Sequence, residues 1–459
     1  MQDKRSLNYK STTPVKARVS IRFCNGVIEL GLVSLIIFTP LAFGTVQVWS
    51  ITIVHLITLA MLAAWLIKMT ALGKFRLMKT PLDIPILLFL GIATVTTLTS
   101  IYPYASKIEF YKIASYVLLY YLVVNNIRSK PQIRRIVTLV VIVGTSLAIY
   151  GLYNYFSGIE KIYTLDKKYY LGMLTSTYVN HNHIGGYFEL AIPLGIGLLL
   201  ASRYLPGRTK KGKIPPLPVS PMLLVAATFI MITALVFTYS RGTWIGFLGS
   251  MIVLGMIISF RFKIFRDWSR LKKWGTLAVL ALIIISALLL MPDKVKQRAG
   301  TMFKFQEGKV TFNVASTGGR LIVYQNTLQM IKDRPILGTG LGTFIYTYPK
   351  YRPPGFRIFM NAVHNDYLQY GQEMGIFGLG SFVLLLALFF KKNLSLLKNL
   401  KDKYLQSLTL GFLVSITAIA IHSLGDFNLQ IPANALLFWI ILALSSSIAI
   451  MVRPERKMA

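Results

Sequence analysis

A histidine followed by glycines at helical spacing is the part of this sequence best suited to chemistry. The segment runs from His364 through Gly371 and Gly375 to Gly378. At about 100° per residue these four residues share one stripe of a helix, and such a stripe lets a second helix approach closely. We therefore expect a fixed helix with His364 at its outer end. Histidine can accept the proton of an attacking hydroxyl as a general base; the alternative is an interfacial histidine that only forms a hydrogen bond.

The elements that must position this histidine are predicted to be membrane helices. Of the 459 residues, 54% are hydrophobic and 14% are charged, whereas a soluble domain has about 25% charged residues. Many apolar blocks approach the roughly 20 residues that a helix needs to cross a bilayer. The sequence predicts an all-α integral membrane protein with twelve spans, at 27–45, 48–69, 82–100, 109–126, 133–156, 183–202, 219–238, 242–260, 275–291, 376–390, 406–423 and 431–451.

The formal net charge of +34 raises the question of nucleic acid binding. However, the basic residues form short clusters at every second connection between apolar blocks, which is the positive-inside pattern. We therefore expect no nucleic acid partner, and we expect an uncleaved cytoplasmic tail at 1–26 and a second one at 452–459. The single cysteine, Cys24, excludes an intramolecular disulfide.

One long external loop is predicted at 292–375, between nine spans within 27–291 and three within 376–451. Connections of this length are usually functional or disordered. Part of the loop should be an amphipathic helix on the membrane surface, because apolar residues recur at helical spacing at Leu321, Tyr324, Leu328 and Ile331. Asp333-Arg334-Pro335 should end that helix, and three glycines, Gly338, Gly340 and Gly342, indicate turns after it.

A spaced motif runs from His364 to Gly378: His-Asn, nine residues, Gly, two residues and Gly. This motif resembles the signature of the O-antigen ligase and Wzy-type polymerase superfamily. Residues 316–344 and 238–244 also resemble segments of that family, and the likeness extends over roughly residues 175 to 435. The resemblance implies a glycosyltransferase of the GT-C kind, with about twelve membrane helices and one large external loop.

In that family the motif histidine activates the acceptor hydroxyl, and external arginines hold the pyrophosphate of the lipid donor. By position, the resemblance implies these roles for His364, Arg241 and Arg320. Each arginine is also predicted to begin a helix, where a cation opposes the positive end of the macrodipole. A bound anion would explain this placement, since it would meet both helix N–H groups and a guanidinium. The alternatives are snorkelling to the interface or a surface ion pair.

No cofactor is expected. Cationic donors can stabilise a leaving pyrophosphate without a metal, and the external segments of the sequence contain no acidic cluster with metal-ligand spacing. His181 and His183 suggest a metal pair, but without a nearby carboxylate or thiol a capping or interfacial role is expected. Asn182 and Glu189 are polar at the start of a span or within it, which favours a functional or helix-pairing role.

The stretch from His422 to Pro432, at the external end of the eleventh span, resembles one found in polymerase-like members. Within it, Asp426 either orients an acceptor or caps a helix. We count His422, Asp426 and Asn182 as possible substrate-binding residues. Three further candidates in or beside the loop are Asn365, Arg352 and Arg357.

The sequence thus predicts a metal-independent, inverting enzyme at the external face of the bacterial plasma membrane. It would transfer or polymerise glycan from an undecaprenyl-pyrophosphate-linked donor onto a glycan, lipid or protein acceptor in cell-surface polysaccharide biosynthesis, in contact with membrane lipid. Alternatives within the class are an O-antigen ligase acting on lipid A core and a protein O-oligosaccharyltransferase. A lipid or solute transporter is the alternative from another class, but the paired broken helices typical of transporters are not evident.

Overall fold

A computed structural model describes residues 15–204, 219–262, 303–306, 309–312, 319–355 and 359–452. Over these residues the chain is mostly helical. The helices are α1 (Val15–Leu41), α2 (Val48–Ala71), α3 (Asp83–Leu98), α4 (Pro103–Asn126), α5 (Lys130–Phe156), α6 (His181–Ser202), α7 (Pro221–Phe237), α8 (Arg241–Phe262), α9 (Arg320–Asp333), α10 (Phe344–Thr347), α11 (Asp366–Asn399), α12 (Lys403–His422) and α13 (Pro432–Met451). Short 3-10 turns lie at Phe43–Thr45, Tyr348–Lys350 and Asn428–Gln430.

Two antiparallel hairpins complete the described structure. Strands β1 (Lys161–Ile162) and β2 (Leu165–Asp166) follow α5, and Lys161 pairs with Asp166. Strands β3 (Phe303–Gln306) and β4 (Lys309–Phe312) lie in the predicted external loop, with Phe303 opposite Phe312.

Seven of the described helices are long and apolar enough to cross a membrane: α1, α2, α5, α6, α11, α12 and α13. Three more, α3, α7 and α8, are apolar but shorter over the residues described. The predicted spans fall on α1–α8 and α11–α13, except 275–291, which lies outside the described residues. The prediction of an α-helical membrane protein is confirmed, while the number of twelve crossings and the GT-C arrangement stay predictions.

The centre of the bundle is formed by α6, α12 and α13, whose side chains are mostly buried. Helices α6 and α12 run antiparallel and touch at two glycines, because a Cβ on Gly197 would lie 3.2 Å from the Cα of Gly411. Such contacts between small residues let membrane helices pack closely. Further along, the Ser415 hydroxyl donates to the Leu190 carbonyl at 2.8 Å. The beginning of α6 and the end of α12 therefore lie at the same end of the bundle.

The helix after the candidate histidine differs from the prediction. Helix α11 begins at Asp366, before the predicted span at 376–390, and the backbone at Gly375 is not helical (φ 64°, ψ −167°). A Cβ at Gly375 would overlap the carbonyl of Ile336, so the chain that follows α9 lies directly against this glycine. His364 precedes the helix with a left-handed φ of 58°. The predicted continuous stripe of His364 and three glycines is therefore wrong.

Helix α9 has the predicted limits: it begins at Arg320 and ends at Asp333. The apolar face predicted to lie on the membrane surface is not the face that packs inside the protein. Leu321 and Leu328 are 42% and 50% exposed, whereas the residues facing inward are Val323, Thr327 and Met330.

The loop's own small core explains this orientation of α9. Val323 and Met330 pack into a cluster with Phe344, Tyr348 and Val363, residues from α10, the turn after it and the segment before α11. Apolar area is removed from water by this packing, so α9 turns this face towards the loop, and the contact of Leu321 and Leu328 with a membrane surface stays a prediction.

Candidate active site

Asp426 is the centre of the candidate site. It lies between α12 and the following 3-10 turn and is 1% exposed. Its Oδ1 accepts hydrogen bonds from Nδ1 of His364 at 3.2 Å and from the backbone N–H of Phe427 at 2.9 Å. Its Oδ2 accepts one from Nδ2 of Asn182 at 2.5 Å and lies 3.6 Å from a terminal guanidinium nitrogen of Arg320. Three residues selected from separate parts of the sequence thus meet at one carboxylate.

The Asp426 carboxyl is held ionised by these neighbours. Burial alone would raise its pKa, but the hydrogen bond from His364 and the charge of Arg320 outweigh burial and hold the pKa well below its usual range. A carboxylate only accepts hydrogen bonds, so Nδ1 of His364 donates to it, and in the neutral imidazole Nε2 then has the free lone pair. The His364 side chain is 17% exposed. The pair therefore has the arrangement of a general base oriented by a carboxylate.

Helix ends position these side chains. Asn182 lies in the first turn of α6, Arg320 is the first residue of α9, and His364 comes two residues before α11. The N-terminal end of a helix carries a partial positive charge and unpaired N–H groups. The convergence of three such ends stabilises the buried Asp426 anion and makes the surroundings favourable for further negative charge.

The unusual backbone at His364 is held by neighbouring groups. The Tyr324 hydroxyl donates to the His364 carbonyl at 2.6 Å, and burial raises the pKa of Tyr324 to about 12, so this donor stays protonated near neutral pH. The Asn365 amide donates to the Leu424 carbonyl at 3.0 Å, and its oxygen caps α11 at the N–H of Leu368. These bonds tie the segment before α11 to the turn that carries Asp426.

Phe427 restricts the histidine ring. It makes edge-to-face contacts with His364, at 4.7 Å between ring centroids, and with His183, at 4.9 Å. The other histidine of the sequence pair, His181, points elsewhere: its Nδ1 lies 2.6 Å from the Thr238 carbonyl. The two histidines thus make separate contacts, and the expected capping or interfacial role stays a prediction. Nowhere in the described ranges do three or more His, Cys, Asp or Glu residues form a group that could hold a metal ion.

The two arginines begin helices, as predicted. Arg320 donates to the Gly425 carbonyl at 2.6 Å, and its side chain is 30% exposed. Arg241 begins α8 and is partly exposed. A Cβ on the next residue, Gly242, would lie 2.7 Å from Nε2 of His422. The start of α8 therefore abuts the end of α12, four residues before Asp426.

His422, a possible substrate-binding residue by sequence, is buried against Glu189. It is 2% exposed, and its Nδ1 lies 2.7 Å from Oε2 of the fully buried Glu189. Glycine at 246 in α8 makes room for this pair, because a Cβ there would overlap the Glu189 carboxylate. The pair connects α6 and α12, in addition to the hydrogen bond from Asn182 to Asp426. His422 therefore helps to fix the site, and its role in substrate binding stays a prediction.

The other binding candidates separate into three groups. Asn365 and Asn182 are each 8% exposed, and their side chains form hydrogen bonds within the protein; their role in substrate binding stays a prediction. Arg352 is exposed on the loop near Tyr348. Arg357 lies outside the described residues.

Sequence reasoning did not identify two tyrosines near the site as functional candidates. The sequence identified Tyr324 only as one apolar position of a predicted helix. Tyr170 comes from the segment between α5 and α6. Burial raises its pKa, Asp426 adds to the increase and the charge of Arg320 opposes it, which places Tyr170 within electrostatic reach of both groups. No spacing in the sequence indicates that position.

Comparison with known proteins gives one family match. No curated protein matches the sequence, but residues 226–383 match the family model described as O-antigen ligase. The matched range includes Arg241, Arg320 and His364, whereas Asn182 and Asp426 lie outside it. This match agrees with the resemblance that the sequence motifs gave for the same part of the chain.

Proposed function

We propose that the protein is a membrane glycosyltransferase that moves glycan from an undecaprenyl-pyrophosphate-linked donor to an acceptor hydroxyl. The family match supports a membrane enzyme of O-antigen or related polysaccharide assembly. The observation that carries the finer proposal is the Asp426 carboxylate, which pairs with His364 on one oxygen and approaches Arg320 with the other. A base and a cation are thereby fixed in one partly exposed site.

His364 acts as the base in this proposal. Its Nε2 accepts the proton of the acceptor hydroxyl while the hydroxyl oxygen forms a bond to the anomeric carbon of the donor sugar. The bond from that carbon to the pyrophosphate oxygen breaks, and the lipid pyrophosphate leaves with the electron pair. Asp426 stabilises the imidazolium that results. Attack opposite the leaving group inverts the anomeric centre.

Arg241 and Arg320 hold the pyrophosphate in this proposal. Arginine pairs with phosphate oxygens through parallel N–H bonds, and fixed donors of this kind stabilise charge that develops on a leaving group. The negative charge of Asp426 lies beside Arg320 and offsets much of the positive charge of that arginine. Arg241, at the start of α8, is the second cation of the proposed clamp.

The proposal places the reaction at the external face of the bacterial plasma membrane. The positive-inside distribution of Lys and Arg supports cytoplasmic termini, and with them an external segment 292–375. The lipid donor would then reach the site from the outer leaflet.

A second candidate is transfer of a finished glycan onto lipid A core, because the matched family is described as O-antigen ligase. Polymerisation is favoured instead by the stretch from His422 to Pro432. The two activities differ in their product, since a polymerase lengthens a lipid-linked glycan and a ligase joins it to another lipid.

The test is glycan transfer from the lipid-linked donor by purified protein in nanodiscs with a chelator present. We expect wild type to give a product whose new linkage has the opposite anomeric configuration, by NMR, and His364→Ala to give none while it remains folded. Product size and acceptor distinguish polymerase from ligase. Normal transfer by His364→Ala would exclude this residue as the base. If the wild-type protein transfers glycan to none of the acceptors, the result would favour a transporter instead.

A further inference from the structure

Asp366 is a buried acidic residue that the proposed reaction does not use. It is the first residue of α11, two residues after His364, and it is 0% exposed. A carboxylate in the first turn favours a helix because it offsets the positive end of the macrodipole, but an exposed carboxylate would do this as well. Burial of a carboxylate is unfavourable unless its oxygens accept hydrogen bonds. The donors that reach Asp366 therefore indicate its role.

These donors belong to the turn at 423–429, which follows α12. Oδ2 of Asp366 accepts hydrogen bonds from the Ser423 hydroxyl at 2.7 Å and from the backbone N–H of Leu429 at 3.1 Å. In addition, the backbone N–H of Asp366 donates to the Ser423 carbonyl at 2.9 Å. Ser423 comes three residues before Asp426 and Leu429 comes three residues after it. The Asp366 carboxylate thus holds the turn on both sides of Asp426.

The contact between His364 and Asp426 depends on how these two segments are joined. Nδ1 of His364 lies 3.2 Å from Oδ1 of Asp426, at the long end of the usual range of about 2.7–3.2 Å for such bonds. A small displacement of either segment would therefore weaken the contact. Tyr324 holds the His364 backbone, and Asp366 holds the turn that carries Asp426.

We propose that Asp366 is a positioning residue, which sets the contact between His364 and Asp426 by fixing the 423–429 turn to the start of α11. It acts through Asp426 and neither binds substrate nor moves a proton. Its effect on the reaction rate rests on the proposed glycosyl transfer, whereas its effect on the His364 ring does not.

Three variants and one control separate positioning from stability. Asp366→Ala removes the acceptor of both bonds, whereas Asp366→Asn keeps an oxygen that can take the place of Oδ2. Ser423→Ala removes one donor from the opposite side, and it replaces Asp366→Ala in the test if that variant does not fold. The control is Glu373→Gln, because Glu373 is a carboxylate of the same helix, 2% exposed, whose partners Gln369 and Gly342 lie outside the turn.

The first readout is kcat in nanodiscs, referred to folded protein. Asp366→Ala, or Ser423→Ala in its place, should lower kcat by about 10- to 100-fold, the loss expected when one hydrogen bond to a charged group is broken. Asp366→Asn should restore most of this loss, and Glu373→Gln should keep the wild-type kcat. In an Asp426→Asn background the contact is already disrupted, so Asp366→Ala should lower kcat by less than about threefold more. A residue that only stabilises the fold would not show this dependence on Asp426.

The second readout does not need activity. In protein labelled with ¹⁵N-histidine, at about pH 8 where imidazole is neutral, the ring signals of His364 are assigned by their loss in His364→Ala. Wild type and Glu373→Gln should show Nδ1 protonated, and Asp366→Ala should show a mixture of both tautomers.

The outcomes distinguish the two proposals. Wild-type kcat in the folded variant, or losses that multiply in full between Asp366→Ala and Asp426→Asn, would overturn the positioning role, as would an unchanged His364 tautomer. A wild-type protein that transfers no glycan, but in which Asp366→Ala changes the His364 tautomer, would overturn the proposed function and leave the positioning role standing.

Discussion

Replacement of Asp426 by asparagine removes the charge at the centre of the site and little else. The carboxylate accepts from His364 and Phe427 on one oxygen and from Asn182 on the other. In Asp426→Asn the one remaining side-chain oxygen can accept hydrogen bonds on one side only. If that oxygen faces His364, the new NH2 group faces the N–H donors of Asn182 and Arg320 and cannot accept hydrogen bonds from them.

The expected size of the effect follows from these contacts. A hydrogen bond to a charged group is worth about 1.5–3 kcal/mol, and a buried donor left unpaired costs about 1–3 kcal/mol. The contribution of Arg320 is small, at most about 1 kcal/mol, because that side chain is 30% exposed. We expect a loss of about 3 kcal/mol in the free energy of unfolding. Without the carboxylate to stabilise the imidazolium, kcat should fall by about 10²- to 10⁴-fold, the range that general base catalysis contributes.

The assay is glycan transfer in nanodiscs at a temperature well below the unfolding midpoint of the variant. Asp402→Asn is the matched control, since Asp402 caps the other end of α12 and forms a partly exposed ion pair with Lys130. It should retain full activity and lose less than about 1 kcal/mol of stability. The reasoning is refuted if folded Asp426→Asn transfers glycan within threefold of the wild-type rate.

Three further predictions concern the same region. Gly375→Ala should lower the free energy of unfolding by at least about 2 kcal/mol, because φ is 64° and the new Cβ overlaps a carbonyl. Gly380→Ala on the same helix has open space around it and should be neutral or stabilising. Equal melting curves for the two variants would contradict this prediction. Tyr324→Phe should lower kcat by up to about tenfold, since it frees the His364 carbonyl; unchanged kcat would show that this bond does not position the base. The depressed pKa of Asp426 means that its stabilising contribution is complete above the unfolded value of about 3.9 and is lost as pH falls through the folded value. The difference in unfolding midpoint between wild type and Asp426→Asn should therefore stay constant from pH 8 to about pH 5 and shrink below about pH 4; a decrease already between pH 7 and 6 would contradict that assignment.

The helices of the bundle could be predicted from the sequence because each apolar block predicts its own helix. The starts of α8 and α9 at Arg241 and Arg320 were also predictable, since they depend on a few neighbouring residues. The carboxylate partner of the base was not. Asp426 lies 62 residues from His364, and no periodicity links two positions whose contact depends on how α12 packs beside α6 and α11.

The predicted glycine stripe was wrong for a physical reason. Helical spacing places His364 and Gly375 on one stripe, but a loop carbonyl lies against Gly375, where the backbone is not helical. The inward face of α9 and the contact of His422 with Glu189 were also not predictable, because both depend on residues that are distant in sequence. Tertiary packing decides each of these positions, and local periodicity does not show it.

The central claim is a division of labour, in which His364 removes a proton from the acceptor and the arginines hold the donor pyrophosphate. Its most direct test measures donor binding and glycan transfer side by side in nanodiscs for wild type, His364→Ala and Arg320→Ala. We predict that His364→Ala binds the lipid-linked donor as tightly as wild type but transfers nothing, and that Arg320→Ala loses at least about tenfold in donor affinity, as removal of a charge-assisted contact implies. Donor binding that is unchanged in Arg320→Ala, or lost in His364→Ala, would contradict the account.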